Sequence, residues 1–482
     1  MTRALLWLRR DLRLRDNAAL VQACASAERV IPVFIHAPDE EAPWGAGAAS
    51  RWWLHHSLVA LEAALRAAGS RLVIRTGPSL ATLRTLIRET GATAVYFNRR
   101  YEPAGRARDR AVEEALRGRG IAIESCDGAL LFEPWSLRTA SGTPFQVFTP
   151  FWNAAQRRPS PQPPLGKPRS LKPPARFPTS QKLRELGLLP TLSWADGFAQ
   201  HWQPGEAGAL ARLKRFCASD LADYPRTRDL PAVDGVSRLS PHLHFGELTP
   251  RQIWYAVQTT ADTRRAGALA RGAAAYIRQI GWREFAFHIL HHWPDTPAQP
   301  LRRAFAQFPW RKNYAPLLRA WQRGLTGYPL VDAGMRELWA SGWMHNRVRM
   351  VVASFLVKNL RIPWQEGARW FWDTLVDADL ANNTLGWQWA AGCGADAAPY
   401  FRIFNPRLQG EKFDPDGVYL RRWLPELARV PRRYVHAPWT MPAAVQDECG
   451  CVIGRDYPEP VVDYAASRRE ALAAYDKLRR KR

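Results

Sequence analysis

Long hydrophobic runs, cysteine pairs and negative charge are all scarce in this sequence. No apolar run is long enough to span a membrane, and the chain begins with a strand pattern instead of a signal peptide, so we expect a cytoplasmic protein without a membrane partner. The six cysteines include no Cys-x-x-Cys pair, so no zinc site or iron–sulfur cluster is expected and no metal is predicted.

The shortage of acidic residues has a counterpart in arginine and tryptophan. Against 44 Asp and Glu stand 68 Lys and Arg, which gives a net charge of +24 and favours a polyanionic partner, nucleic acid above all. An arginine-rich proteome would also raise the charge. It would not supply 22 tryptophans, 11 of them between Trp282 and Trp389. Cations combined with aromatic planes suit the binding of unstacked bases.

The first 130 residues alternate short apolar or β-branched runs with helical patterns. The runs cover residues 4–8, 30–35, 72–75, 94–98 and 121–124, and the clearest helical patterns cover residues 51–68 and 79–90. This alternation predicts an α/β domain with a parallel, Rossmann-like sheet and helices on both faces. Because no Gly-x-Gly-x-x-Gly follows the first run, an NAD-type site is not expected there.

The rest of the chain reads as a linker followed by helices. Nine prolines between Pro159 and Pro190, interleaved with Lys and Arg, predict an extended segment that wraps the surface. From about Leu210 onward, helical patterns are interrupted by Pro and Gly. We therefore predict an α/β N-terminal domain at 1–130, an extended Pro-rich interdomain linker at 131–205 and an all-α C-terminal domain at 206–482.

A charged segment, Arg9 to Asn17, follows the first predicted strand. Asn17 is placed to cap the next helix. The other residues fit a solvated surface loop as well as a functional one.

The stretch from Asp377 to Trp389 concentrates carboxylates, amides and two indoles between apolar helices. In an ordinary interpretation, Trp387 and Trp389 are core residues and the carboxylates cap helices. Two indoles at i and i+2 cannot share a helical face, so we expect Trp387 and Trp389 to contact different neighbours. One of them could then meet a buried cofactor and the other an open cavity.

A flexible turn precedes Pro241. Gly235, Ser237 and Ser240 supply backbone N–H groups and hydroxyls that can cradle phosphate, although serines also commonly cap helices.

Gln279 and Arg283 share a helical face beside Trp282. This gives a stacking plane with an amide and a cation at its rim. A buried helix with an internal ion pair would give the same pattern.

Asn346, Arg349 and Met350 lie on one stripe of another helix, together with apolar residues. A half-buried Arg349 needs an anion, and Asp377 or Asp379 could supply it. The residues alone therefore predict a flavin-sized or nucleotide-sized cofactor in an all-α domain with a basic, aromatic-lined cavity.

Several long segments, taken in order, carry a more specific signal. They are Trp-Leu-Arg-Arg-Asp-Leu-Arg-Leu-Arg-Asp-Asn from Trp7, Thr-Gly-Tyr-Pro-Leu-Val-Asp-Ala-Gly-Met-Arg from Thr326, Gly-Trp-Met-His-Asn-Arg-Val-Arg-Met from Gly342, the stretch from Asp377, and Phe-Arg-Ile-Phe-Asn-Pro from Phe401. Together they resemble the DNA photolyase and cryptochrome family, most closely the microbial cyclobutane pyrimidine dimer photolyases. The resemblance extends nearly end to end, through Trp-Leu-Pro-Glu-Leu from Trp423.

The resemblance implies an α/β antenna domain and a helical domain that holds FAD in a folded U shape. By position, the residues implied to hold FAD are Tyr224, Val236, Ser237, Arg238, Leu239, Ser240, Arg349, Asp377, Ala378, Asp379 and Asn383. Those implied to contact the flipped dimer or its strand are Arg228, Gln279, Trp282, Arg283, Asn346, Arg347, Met350 and Trp389. The implied catalytic residues are Asn383, Trp282, Gln279 and Trp389, and the implied electron-transfer chain is Trp310, Trp364 and Trp387.

The implied reaction is light-driven repair of cyclobutane pyrimidine dimers in DNA. Excited FADH⁻ donates an electron to the extruded dimer, the ring splits and the electron returns, which makes the enzyme a carbon–carbon lyase. Its partner would be UV-damaged DNA, single- or double-stranded, and we expect a monomer.

Two departures from the family pattern bear on the lesion. Val236 stands where these enzymes usually carry Thr, and Gln279 stands where dimer photolyases usually carry Glu and (6-4) photolyases tend to carry Gln. The animal-type (6-4) enzymes need a histidine pair, but Asn346 and Met350 occupy those positions here. We therefore expect dimer repair, with a (6-4) photolyase or a blue-light-sensing cryptochrome as alternatives. A flavin electron-transfer protein would not require the basic surface.

A second, light-harvesting chromophore is less specified. In folate-binding relatives an Asn-Glu pair holds methenyltetrahydrofolate, but Ala104 and Gly105 stand there. Arg100 replaces the acidic contact of the deazaflavin type. A folate held differently, a deazaflavin or no antenna all remain open.

Overall fold

In the computed structural model, which describes residues 2–264, 267–397 and 401–480, the first domain is built on a five-stranded sheet. The strands are β1 (Arg3–Leu8), β2 (Arg29–His36), β3 (Val73–Thr76), β4 (Ala94–Asn98) and β5 (Ala122–Cys126). Their order is β3-β2-β1-β4-β5 and every neighbouring pair is parallel. The predicted α/β domain is confirmed, with strand limits within two residues of those expected.

Helices cover both faces of this sheet because side chains alternate along each strand. Leu6 of β1 packs in one hydrophobic cluster and the adjacent Trp7 in another, on the opposite face. As predicted, Asn17 caps the first helix, with its Oδ1 accepting the Leu20 N–H at 3.1 Å. The helices are α1 (Ala18–Ser26) and α2 (Ala48–Ala67) on the first face, and α3 (Ser79–Thr90) and α4 (Pro103–Arg117) on the second.

The segment after the sheet is only partly extended. Helix α5 (Phe148–Gln156) buries Phe148, Phe151 and Trp152 among helices of the second domain, and α6 (Phe198–His201) is a single turn. Between α5 and about residue 182 the chain runs without a helix. The prediction of an extended segment over all of 131–205 is therefore wrong for α5, because its aromatic side chains draw it into a core. The domain limits themselves stay a prediction.

The second domain is helical, as predicted. Its helices are α7 (Glu206–Ser219), α8 (Tyr224–Thr227), α9 (Ser240–His244), α10 (Pro250–Arg264), α11 (Gly267–His292), α12 (Ala315–Arg323), α13 (Pro329–Ser341), α14 (Asn346–Ser354), α15 (Trp364–Thr374), α16 (Leu380–Ala391), α17 (Pro406–Phe413), α18 (Val418–Trp423), α19 (Ala443–Cys449) and α20 (Tyr464–Arg480). Among the described residues, none of the helices combines the length and apolar character needed to cross a bilayer.

The charged segment after β1 is buried, so its interpretation as a solvated loop is wrong. Arg13 is 1% exposed and donates four hydrogen bonds, to the backbone carbonyls of Asp16, Gly128 and Gly246. The carboxylate of Asp16 pairs with Arg251 at 2.5 Å. Since Gly246 and Arg251 belong to the helical domain, this loop joins the two domains through buried polar contacts.

Candidate functional site

An ion pair between Arg349 and Asp377 lies in the helical domain, between α14 and the loop that leads to α16. Nη2 of Arg349 is 2.9 Å from Oδ2 of Asp377, whose side chain is 4% exposed against 23% for the arginine. Nε of Arg349 donates to the Met344 carbonyl at 2.7 Å. The anion expected for Arg349 is therefore Asp377, and the geometry fixes the guanidinium from two sides.

Asp379 forms the N-cap of α16, as the ordinary interpretation of these carboxylates had it. Its Oδ1 accepts the backbone N–H of Asn382 at 2.9 Å. Oδ2 lies 3.8 Å from Nδ1 of His244, which is too far for a hydrogen bond. Burial raises the pKa of Asp379, but the His244 imidazole, the Arg283 guanidinium and the Asn382 N–H together hold it below its usual range. The site therefore contains a second buried carboxylate, and its lowered pKa keeps Asp379 ionised at neutral pH.

Asn383, one turn further along α16, has a side-chain amide fixed on one side only. Its Nδ2 donates to the Ala368 carbonyl on α15 at 3.0 Å. No described residue bonds its Oδ1, so the amide presents an acceptor on the other side. The orientation of the amide is assigned from this one bond.

Trp387 and Trp389 point in different directions, as predicted from their spacing. Trp387 is 2% exposed and packs edge-on to Phe371 with ring centroids 5.0 Å apart. A Cβ added to Gly367 would lie 2.0 Å from this indole, so only glycine permits the close approach of α15. Trp389 is half-buried and faces Phe404, at 6.4 Å between centroids. Trp387 is thus a core residue, whereas Trp389 lines an opening.

The three indoles expected to carry electrons belong to one hydrophobic cluster. Trp364 is buried on α15. It lies one turn before Gly367, the glycine against which Trp387 packs. Trp310 is half-buried at the edge of the cluster and contacts Phe308 with centroids 4.5 Å apart. Trp387 and Trp364 are buried and Trp310 is half-buried, so exposure to solvent increases toward Trp310.

The turn before α9 is held by its own side chains. A Cβ on Gly235 would lie 2.5 Å from the Thr227 side chain, which explains glycine there. Ser237 Oγ accepts the Tyr276 hydroxyl at 2.7 Å, and Ser240 Oγ accepts Nε1 of Trp343 at 3.3 Å.

The neighbours of this turn are cationic and aromatic. Arg238 adopts φ +50° and lies over the Trp343 ring at 4.8 Å, while Leu239 is buried and Val236 half-buried. Tyr224 is buried in edge-on contact with Tyr276. Val236 contributes no hydroxyl, so the polar groups of the turn are Ser237, Ser240 and backbone N–H donors.

His345 supplies a buried donor without a partner. Its Nδ1 accepts the backbone N–H of Arg347 at 3.2 Å, so the proton lies on Nε2, and burial lowers its pKa to about 4. Nε2 bonds to none of the described residues. Other buried donors, such as Nε1 of Trp7 and Nε1 of Trp423, also lack a partner, so this N–H is free to bond a ligand but does not identify one.

The helix that carries Trp282 presents a planar, half-buried rim. Trp282 stacks on Phe148 of α5, with centroids 3.8 Å apart and planes within 8°. Gln279 accepts a hydrogen bond from Arg228 at 3.3 Å. Arg283 donates to the Ala129 carbonyl at 2.9 Å. Gln279 and Arg283 are both half-buried near Trp282 on α11, and that they flank a bound base stays a prediction.

The internal ion pair that an ordinary buried helix would have is also present. Arg283 lies 3.3 Å from Oε1 of Glu284, whose Oε2 accepts the N–H groups of Leu131 and Phe132. Burial raises the pKa of Glu284 to about 7, although Arg283 and the two N–H groups oppose the rise. Glu284 therefore joins this helix to the start of the linker.

Helix α14 presents Asn346, Arg347 and Met350, all exposed or half-buried. Arg347 pairs with Asp229 at 2.9 Å. It also lies over the ring of Phe413 at 4.4 Å. The expected DNA contact is therefore already neutralised in the free protein and fixed in place.

A cavity of about 310 Å³ lies at the seam between the domains. Its lining includes Trp44, Arg100, Ala104, Gly105, Trp372 and Leu380. Leu380 follows the N-cap Asp379 directly, so the cavity reaches the first turn of α16. Three residues singled out for an antenna, Arg100, Ala104 and Gly105, are thus brought together.

The charges around this cavity are mutually paired. Arg100 lies 2.8 Å from Glu102, and Arg10 lies 3.5 Å from Glu102 and 3.3 Å from Glu41. Burial raises the pKa of Glu102, but the Arg100 and Arg10 guanidiniums outweigh this effect and hold the pKa well below its usual range. The cavity therefore offers aromatic walls and an already balanced set of charges.

Sequence reasoning missed His244, His345, Phe148 and Asp229. Single histidines give no pattern from which their surroundings can be read. Phe148 had a signal, since the aromatic spacing at 148, 151 and 152 is typical of a helix with one buried face.

The fold and this site belong to one class of protein. Two family models match the chain: DNA photolyase over residues 4–169 and FAD binding domain of DNA photolyase over residues 276–477. The chain belongs to the DNA photolyase and cryptochrome family, which confirms the predicted family, and it carries that family's FAD-binding domain.

Within the family the chain is similar to both photo-lyases and cryptochromes. It is 48% identical to a deoxyribodipyrimidine photo-lyase of Agrobacterium fabrum, covering 98% of this chain and 97% of that one. It is 40% identical to Cryptochrome-2 of Arabidopsis thaliana, covering 99% and 79%. The crystal structure of a bacterial class III photolyase from Agrobacterium tumefaciens matches with a TM-score of 0.95 and 46% identity, covering 100% and 98%.

Proposed function

We propose that this chain is a photo-lyase that uses blue or near-UV light to split cyclobutane pyrimidine dimers in DNA. The observation that carries the proposal is that two helices serve both halves of such a site. Helix α14 carries Arg349 and the rim residue Asn346, and α16 carries Asn383 and Trp389. A buried cation–carboxylate pair thus shares its supports with an accessible rim that suits unstacked bases.

The residues present fit an FAD. The helical domain offers the unpaired N–H of His345, the free Oδ1 of Asn383 and the hydroxyls of Ser237 and Ser240 as polar groups for a cofactor, in addition to the Arg349–Asp377 pair. The residues that would hold the cofactor are Tyr224, Val236, Ser237, Arg238, Leu239, Ser240, Arg349, Asp377, Ala378, Asp379 and Asn383. Bound there in its fully reduced form, FAD supplies on illumination the electron that splits the dimer, and it takes the electron back afterwards.

Two side chains set the electrostatics of the site. Arg349, fixed by Asp377 and the Met344 carbonyl, places a guanidinium that favours an anion beside it. Asn383 offers a carbonyl acceptor and, unlike a carboxylic acid, cannot release a proton at neutral pH. Together they favour retention of an anionic cofactor without protonating it.

The rim would hold the lesion. Photolyases are a known example of enzymes that act on an extruded base, and extrusion of a poorly stacked lesion costs only a few kcal/mol. Trp282, backed by Phe148, and Trp389 can return about 1–3 kcal/mol per stacked base. Arg228 and Gln279 supply a cation and an amide at the edge.

The remaining contacts hold the strand. Arg283, Asn346, Arg347 and Met350 complete the rim, and Arg347 reaches it already fixed by Asp229. Asp229 would compete with a strand phosphate for Arg347, although the pair limits the side-chain freedom that Arg347 has to lose.

Trp387, Trp364 and Trp310 would reduce the flavin by passing electrons inward from solvent. Their common cluster and graded exposure support this role. Gly367 contributes by letting Trp387 approach α15.

We also propose that the seam cavity holds a second, planar chromophore. Its volume of about 310 Å³ is at the lower end of ligand cavities, and Trp44 and Trp372 line it. Trp44→Ala should reduce any near-UV absorbance that copurifies beyond FAD, while the FAD content stays unchanged.

The partner would be UV-damaged DNA, single- or double-stranded, met by a monomer in the cytoplasm. The net charge of +24 supports a polyanionic partner. A signalling cryptochrome is the alternative favoured by the relatives of that name. Gln279 is the observation that favours (6-4) photoproducts.

The lesion is tested with two matched oligonucleotides, one with a thymine dimer and one with a (6-4) photoproduct, both illuminated with the reduced protein. We expect reversal of the dimer only, and faster reversal for Gln279→Glu. Reversal of the (6-4) product without the dimer contradicts the proposal. Binding of both without repair of either indicates a photoreceptor.

A further inference from the structure

Residues 157–184 form a segment, here called the basic strap, with an unusual charge balance. The strap contains eight Lys and Arg and no Asp or Glu. Seven of these cations are exposed, although one of the seven, Arg158, donates to the Ser136 carbonyl. The eighth, Lys172, bonds the carbonyls of Cys24 and Ala27. Within the described ranges none of the eight pairs with a carboxylate, whereas exposed arginines such as Arg110 and Arg369 do.

The backbone of the strap is fixed on the surface. The carbonyls of Leu165 and Lys172 each accept a backbone N–H, from Asp16 and Val30, at 2.9 Å. The Tyr255 hydroxyl donates to the Pro161 carbonyl at 2.8 Å. Prolines further limit its freedom. The fixed backbone holds these like charges near one another although they repel. Because none of them is paired with a carboxylate, the strap is suited to binding a polyanion.

The strap is connected along the chain to the lesion rim through α5. It starts where α5 ends, and α5 begins with Phe148, on which Trp282 stacks. Arg278 lies over the same Phe148 ring at 4.7 Å. At roughly 3.1 Å per extended residue, the span from Arg157 to Arg169 reaches at most about 37 Å, or about ten base pairs.

We propose that the basic strap is a track for the phosphates of DNA that flanks the lesion. The strap contacts the backbone sequence-independently and lengthens the DNA that one molecule covers. This rests on the proposed function, since it assigns a role in holding the same substrate.

The test compares two triple variants in binding to undamaged duplexes of about 10 and about 30 base pairs over a range of salt concentrations. One is Arg157→Gln/Lys167→Gln/Arg169→Gln in the strap. The matched control, Arg88→Gln/Arg110→Gln/Arg119→Gln, removes three exposed cations from the region of α3 and α4.

On the long duplex, the strap variant should lose about 0.9 per phosphate contact from the slope of log K against log salt, hence about 2–3 in total. The control variant should keep the wild-type slope on both duplexes, and the loss in the strap variant should be no larger on the short duplex than on the long one. Equal slopes for the strap and control variants on the long duplex overturn the proposal. Should the triple variant lose its flavin, the double variant Lys167→Gln/Arg169→Gln must show a loss of about 1.8 instead.

This outcome is independent of catalysis. If the protein repairs no dimer but the strap variant shows the slope change, the role of the strap is supported and the proposed function is refuted. If the protein repairs dimers but the slopes are unchanged, the proposed function is supported and the role of the strap is refuted.

Discussion

The two domains bury charge in opposite ways. Around the seam cavity of the first domain, Arg10, Glu41, Arg100 and Glu102 are paired with one another. In the helical domain the side chains around Arg349 and Asp377 keep groups unused, among them an N–H of His345 and a carbonyl of Asn383. Buried polar groups are mostly paired, so unpaired groups near a buried ion pair are available to a polar ligand. This difference fits the FAD-binding domain that the chain carries, and it supports the proposal that a ligand of the seam cavity would bring little charge.

The largest effect is expected from replacing Arg349, the cation of the buried ion pair in the helical domain. Arg349→Met leaves Asp377 buried without its partner, which costs roughly 3–4 kcal/mol of unfolding free energy, and the flavin is lost. The flavin content of purified protein and urea unfolding measure both effects. As a control, Arg407→Met breaks the exposed pair with Glu411 and should cost at most about 0.5 kcal/mol. Full flavin retention in Arg349→Met would show that the pair is merely structural.

Glu284 lies where the two domains meet, so its titration tests how a carboxylate is buried between them. Its pKa is raised to about 7, so folding takes up a proton, and the stability it contributes is present below about 4.5 and lost as pH rises through 7. The unfolding free energy should fall by up to about 3 kcal/mol over that window. Urea unfolding at several pH values should show a flatter profile for Glu284→Gln. An identical profile in both proteins would mean that Glu284 stays ionised.

Trp389→Ala should weaken binding of a dimer-containing strand by about 1–3 kcal/mol, or 5- to 150-fold, while the flavin is retained. Fluorescence anisotropy measures the affinity. Trp339→Ala removes an indole that is 51% exposed outside the proposed rim and should leave affinity unchanged. Equal losses in the two variants would remove Trp389 from the lesion site.

The smallest effect concerns electron supply. Trp387→Phe should slow photoreduction of the oxidised flavin at least about tenfold, which corresponds to about 1.4 kcal/mol, because phenylalanine is much harder to oxidise. Absorbance during blue illumination follows the change. Chemically reduced Trp387→Phe should repair dimers at the wild-type rate. Photoreduction at an unchanged rate would show that electrons take another route.

The sequence predicted features that arise from local periodicity. The strands, the cap at Asn17 and the divergence of Trp387 and Trp389 follow from repeats of two or 3.6 residues. The partner of Arg349 could be narrowed to Asp377 or Asp379 because a buried arginine requires an anion.

Contacts between distant parts of the chain could not be predicted. The segment after β1 looked solvated because the carbonyl that Arg13 binds, that of Gly246, comes 233 residues later. The contact of Trp282 with Phe148 and the approach of His244 to Asp379 depend in the same way on how helices dock. The residue roles came from the family resemblance. Because the structure shows which chemical groups lie at the site, each role can be tested by a substitution.

The most direct measurement is light-dependent repair by the anaerobically reduced, flavin-containing protein, with one thymine dimer in a defined oligonucleotide. We predict catalytic loss of the dimer under blue light, many turnovers per flavin, and none in the dark. A protein that binds the damaged strand and carries reduced flavin, yet leaves the dimer intact under illumination, would contradict the account.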